Sequence, residues 1–120
     1  WPGTLPQGEL REQLATSMDL LPTLCELTGI PVPEHRLDGK SIVGLLEDDA
    51  AVSPHEVVHW QFFNDWAVRE GKWKLVHSKG GAFLSNMALD VTETSNLAAE
   101  HPEIVERLTQ LHEAWVEEAN

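Results

Sequence analysis

The stretch from Trp66 to His77, Trp-Ala-Val-Arg-Glu-Gly-Lys-Trp-Lys-Leu-Val-His, constrains the fold more than any other part of the chain. Trp66-Ala67-Val68-Arg69 alternates apolar and polar residues, and Trp73-Lys74-Leu75-Val76-His77 does so more loosely. Successive side chains of a strand point to opposite faces, so each run has one face to bury. Glu70-Gly71-Lys72 supplies a tight turn between them, which makes a β-hairpin of strands at about 66–70 and 73–77. Val57, Val58, Trp60, Phe62 and Phe63 favour another strand over about 56–62, and Gly80-Gly81 marks a turn before one over about 83–89. Pro102 then opens a helix over about 102–118, with Ile104, Leu108, Leu111 and Trp115 at helical spacing.

Residues before about 52 have a different character. The first 18 carry turn signals (Pro2-Gly3, Pro6, Gly8) and read as loop with a short strand toward their end. A helix over about 19–28 follows. Asp19 is its expected cap, Pro22 sits in its first turn, Leu20, Leu24 and Leu27 share a face, and Gly29 stops it. A short helix over about 41–47 is expected to start at Ser41 and to bury Ile42, Val43, Leu45 and Leu46. A boundary is placed near residue 51. The fold class is α+β: an antiparallel sheet of about four strands with a C-terminal helix packed on it, preceded by two helices.

Among 120 residues, twenty acids face eight bases, for a net charge of −12. Nucleic-acid binders need Lys and Arg clusters, so that class is set aside. No apolar run is long enough to span a membrane, and no membrane partner is expected. The single cysteine, Cys25, lies among leucines and allows no internal disulfide and no multi-cysteine zinc site. The start at Trp1-Pro2-Gly3 reads as a chain entered part-way through.

His55-Glu56-Val57-Val58-His59 matches the zinc-peptidase pattern H-E-x-x-H. On a helix both imidazoles would share a face, and the glutamate would activate a metal-bound water. Against this, Val57 and Val58 are β-branched and run into Trp60, Phe62 and Phe63. On a strand, residues four apart share a face but lie ~13 Å apart, too far for one metal. Phe62 and Asp65 stand where the extended metzincin pattern needs Gly and His. The strand reading is preferred, with the zinc peptidase as a third choice of function.

The order of several segments carries more information than any one motif. Trp1-Pro2-Gly3, Ser17-Met18-Asp19-Leu20-Leu21-Pro22-Thr23-Leu24, Gly29-Ile30-Pro31 and Leu37-Asp38-Gly39-Lys40-Ser41 resemble the last third of the type I sulfatases. Ala67 to Val76 resembles the hairpin of their C-terminal subdomain. Asp90-Val91-Thr92-Glu93-Thr94-Ser95-Asn96-Leu97-Ala98 is similar to their D-P-x-E-x-x-N-L-A segment, with Val91 in place of Pro, and His101-Pro102-Glu103 resembles the start of their terminal helix.

The resemblance implies a hydrolase of sulfate esters or sulfamates, with residues 1–51 the tail of its catalytic α/β domain and 52–120 its C-terminal subdomain. The two early helices would then be left over from that larger α/β domain. It also implies a formylglycine made within C/S-x-P-x-R, and a calcium ion that holds the sulfate. Neither is expected in this chain, because Cys25 is followed by Glu-Leu-Thr-Gly and no serine has Pro at +2 and Arg at +4. No catalytic residue and no metal ligand is therefore assigned, and the chain is expected to be inactive alone. The implied role is structural and pocket-lining. His59, Asn64, Asp65 and Trp66, around the Gln61–Asp65 loop, are the candidate substrate-binding rim, with Lys72 and Lys74 as further groups able to meet an anion. The expected partner is the remaining catalytic domain, or else a self-association surface. The alternative function is a free-standing binding or assembly module derived from a sulfatase tail.

Overall fold

The computed structural model describes residues 1–119. They fall into two compact units that divide between His55 and Glu56. The division lies beyond the boundary expected near 51. Ser53 Oγ donates to the Leu14 carbonyl at 2.6 Å and His55 Nε2 donates to Asp19 at 2.7 Å, so both residues stay with the first unit.

The first unit has no strand. Ser17–Asp19 form a single 3-10 turn that leads directly into α1, Leu20–Thr28. The expected capping role of Asp19 is corrected here. Its carboxylate makes no capping bond to α1 and instead accepts the N–H groups of Thr16 (2.7 Å) and Lys40 (2.9 Å). Gly29 ends α1 in a left-handed conformation at φ 70°, and the Ile30 N–H returns to the Cys25 carbonyl at 3.0 Å. The second helix, α2, spans Val43–Glu47 and starts two residues later than expected. Ser41 Oγ accepts the Val43 N–H only at a long 3.4 Å, and the Ile42 N–H donates to Thr23 Oγ1 of α1 at 3.0 Å. Gly39 lies so near the preceding turn that an added Cβ would sit 2.0 Å from the Met18 carbonyl oxygen.

The second unit is a four-stranded antiparallel meander in the order β1-β2-β3-β4, with one helix. Its strands are β1 (Val57–Phe62), β2 (Asp65–Glu70), β3 (Trp73–Ser78) and β4 (Gly81–Asn86). The expected fourth strand to Leu89 stops at Asn86: the Met87 N–H makes one last bond to the Lys72 carbonyl in the β2–β3 turn, and the Leu89 and Asp90 N–H groups then bond back to the Asn86 carbonyl. Asp90 then organises the connection by accepting the Thr94 and Ser95 N–H groups at 2.8 and 2.9 Å. Asn96 ties the connection to β4: its side chain accepts the Leu84 N–H and donates to the Ala82 carbonyl.

Helix α3, Pro102–Ala119, crosses the sheet over β2 and β3. Register puts Val68, Leu75 and Leu84 in one cross-strand row on the covered face, and Leu108 of α3 sits on that row. All four side chains have no exposed surface. Each buried leucine of this kind stabilises by about 1.5–3 kcal/mol relative to its exposed state.

Candidate functional site

The same register sets the site at one end of the sheet. Gln61 faces Trp66, which faces His77, and His59 stands opposite Val68, so all lie on the α3 face. Trp66 is held between two imidazoles: His77 of β3 at 5.1 Å and 7°, and His112 of α3 at 4.3 Å and 10°. His59 stacks on Trp115 of α3 at 5.0 Å and 7°, with its ring centroid 5.6 Å from that of His112. Five aromatic and imidazole rings thus join three strands to the helix.

The Nδ1 atoms of His59 and His112 are buried and have no hydrogen-bond partner among the described residues. Burial disfavours the charged form of both rings and lowers their pKa. The neighbouring His112 reinforces the shift at His59, whereas Glu113 opposes it at His112. Both are held as neutral imidazoles, in which one ring nitrogen accepts.

Of the four rim residues read from the sequence, two belong to this cluster. His59 and Trp66 are partly covered and stacked. Asn64 and Asp65 are exposed at the β1–β2 turn, beside Phe62 and Phe63, which are 72% and 82% exposed. Phe63 has φ 54°, a left-handed value uncommon for a bulky residue, so the turn carries backbone strain. Lys72 lies near the Trp73 ring, and Lys74 pairs with Glu93 at 2.5 Å. His112 and Trp115 were missed as site residues. Trp115 read as core periodicity, and His112 is four residues after Leu108, a spacing that places it on the same buried face.

The zinc-peptidase arrangement does not form. His59 lies within β1, and His55 precedes the strand and bonds to Asp19. Asp19 is fully buried. Burial works against its charge, but the N–H groups of Lys40 and Thr16 and the His55 imidazole outweigh that and hold its pKa below the usual carboxylate value. Among the described residues no group of three or more His, Cys, Asp or Glu side chains could hold a metal. Cys25 is buried in α1 without the C-x-P-x-R context. The residues present fit neither a calcium cradle nor a formylglycine precursor.

No protein-family model matches the chain. Human arylsulfatase A is 32% identical over 117 residues, which cover 92% of this chain and 23% of that protein. An uncharacterized sulfatase of Schizosaccharomyces pombe is 27% identical over 130 residues, 97% of this chain and 23% of its own length. The solved structure of a 2-O GAG sulfatase superposes with a TM-score of 0.62 at 30% identity, over 83% of this chain and 24% of that one. The chain belongs to the sulfatase family. It corresponds to a C-terminal portion of the sulfatase fold, and it spans about a quarter of the length of these relatives. As the α+β reading expects, this portion has an antiparallel sheet under a C-terminal helix and two earlier helices.

Proposed function

We propose that this chain is the C-terminal part of a sulfatase-like hydrolase of sulfate esters or sulfamates, inactive alone, with a structural and pocket-lining role. The exposed side of α1 carries the reading. Leu20, Leu21 and Leu24 are 59%, 47% and 56% exposed, with Met18, Ile30 and Val32 also uncovered nearby. A contiguous apolar surface of this kind marks a protein interface. In this reading the catalytic α/β domain covers it, residues 1–51 being the tail of that domain, and supplies formylglycine and calcium. Asn64 and Asp65 then contact substrate from the exposed turn, while His59 and Trp66 position that turn from the stack beneath.

An antibody to α3 would size the native polypeptide and recover it for assay on a chromogenic aryl sulfate. The expected result is a band several times larger than 13.4 kDa that hydrolyses sulfate esters, beside an inactive isolated chain. A native band at 13.4 kDa would overturn the proposal in favour of a free-standing binding module.

A further inference from the structure

The two edges of the sheet are treated differently. On β4 the connection to α3 takes up the outward groups. The Leu84 N–H donates to Asn96 Oδ1 at 3.0 Å, the Leu84 carbonyl accepts the Leu97 N–H at 2.9 Å, and the Ala82 carbonyl accepts Asn96 Nδ2 at 3.1 Å. β1 forms the other edge and pairs with β2 alone. Phe62 and Asp65 flank a two-residue turn, so the ladder bonds to β2 come from Phe62, Trp60 and Val58. The backbone N–H and C=O groups of Val57, His59 and Gln61 therefore point outward, and none has a hydrogen-bond partner among the described residues.

We propose that β1 pairs edge to edge with an extended segment of the catalytic portion of the same polypeptide, one that carries Lys or Arg on its α3 side and apolar side chains on the other. The pairing rests on the sulfatase reading above.

Alternating donors and acceptors along an open edge are matched by the backbone of another strand. Native sheets blunt an edge left in water with charged side chains, Pro or a bulge. The β1 sequence, Val-Val-His-Trp-Gln-Phe, has no Lys, Glu or Pro, and its register with β2 is unbroken by a bulge. Trp60, Gln61 and Phe62 are exposed. A short β-prone segment of this composition is an aggregation hazard unless it is paired.

The flanks of the edge select its occupant. On the α3 side, Glu113 and Glu117 border Gln61. Both are exposed, and neither takes part in an ion pair among the described residues. Lys or Arg on an incoming strand complements them. Trp60, Ala67 and Val76 pair across the strands on the opposite face, where a groove of about 360 Å³ opens between them and Phe62. An apolar side chain of the same incoming strand fits that groove, since successive residues alternate faces. A second copy of β1 fits poorly. Antiparallel pairing of two copies turns about an axis normal to the sheet, which keeps both α3 helices on one side and brings their Glu113 and Glu117 carboxylates together. The chain matches 23% of human arylsulfatase A, so in the sulfatase reading most of the polypeptide lies elsewhere and can supply the strand.

The test is residue-resolved hydrogen exchange on the full native polypeptide. The outward amides of Val57, His59 and Gln61 should exchange as slowly as the ladder amides of Val58, Trp60 and Phe62, and at least about tenfold more slowly than Asn64 in the turn. The charge-reversed variant Glu113→Lys/Glu117→Lys should speed exchange of the outward set about tenfold and leave the ladder set unchanged. Outward amides that exchange at the Asn64 rate would overturn the proposal, as would outward protection that survives the charge reversal. Protection lost on dilution, with a dimer in sedimentation velocity, would overturn it in favour of a second copy. If the variant deprotects both sets it has unfolded the hairpin, and the parent comparison decides alone. A native band at 13.4 kDa removes the sulfatase reading and this proposal together. A larger, active polypeptide with fast outward amides removes this proposal only.

Discussion

Gly39 and Leu108 show two ways in which a single residue constrains this fold. At Gly39 the limit is backbone contact: a methyl group would meet the Met18 carbonyl oxygen at 2.0 Å, and a carbonyl cannot move aside as a flexible side chain can. Gly39→Ala should therefore cost ~1–3 kcal/mol or more, seen as a lower urea midpoint with an unchanged slope. Leu108 is fully enclosed with Val68, Leu75 and Leu84, so Leu108→Ala leaves a cavity and should cost ~2–5 kcal/mol in the same measurement. A loss below ~1 kcal/mol at either position would contradict the packing described. Gly39 stood in the sequence as part of a loop motif, but its reason did not. The Met18 carbonyl it accommodates is far away along the chain.

At the scale of elements, the contact of α3 with the sheet is sensitive to protons. His59 of β1 and His112 of α3 have folded pKa values below their unfolded value. The groups around them are His77 of β3, across Trp66, and Glu113 on α3 itself. The unfolded chain binds protons more readily, so stability from this pair is fully present above the unfolded value of about 6.5 and declines as pH falls below it. Urea unfolding at pH 7.5 and pH 5.0 should show a lower midpoint at pH 5.0, and His112→Phe should shrink the difference. Equal midpoints for the parent chain would refute the neutral-imidazole assignment. Asp19 acts in a separate window: its folded pKa is lowered, so its contribution holds above the unfolded value of about 3.9 and is lost as pH falls from there. The strands and helices themselves were legible, because each arises from a local repeat. The end of β4 was not, since β3 runs out at Trp73, and the Leu89 and Asp90 N–H groups bond back to the Asn86 carbonyl.

For the whole molecule, the exposed side of α1 matters most. Leu20 and Leu24 lie one turn apart on a helix, and both are more than half exposed. The isolated 120-residue chain should therefore self-associate. Sedimentation velocity should show species that grow with concentration, and the Leu20→Lys/Leu24→Lys variant should shift them toward monomer. A parent chain that stays monodisperse and melts cooperatively would count against α1 as a buried interface in a larger enzyme. The aromatic tip of the β1–β2 hairpin adds to the uncovered surface, with Phe62 and Phe63 both exposed.

The sequence by itself determined the elements and the family. Alternation specified the hairpin, 3.6-residue periodicity specified α1 and α3, glycine marked the turns, and the ordered segments pointed to the sulfatases. These signals are local, or are sums of local signals. The tertiary structure alone decided which polar groups meet. It brought His112 and Trp115 of α3 against His59 and Trp66 of the sheet, and it turned Asp19 from a helix cap into a buried acceptor for Thr16, Lys40 and His55. Those pairings depend on strand register and on where α3 crosses the sheet. A one-residue change in register would send the same side chains to the opposite face, and no short stretch of sequence carries that information.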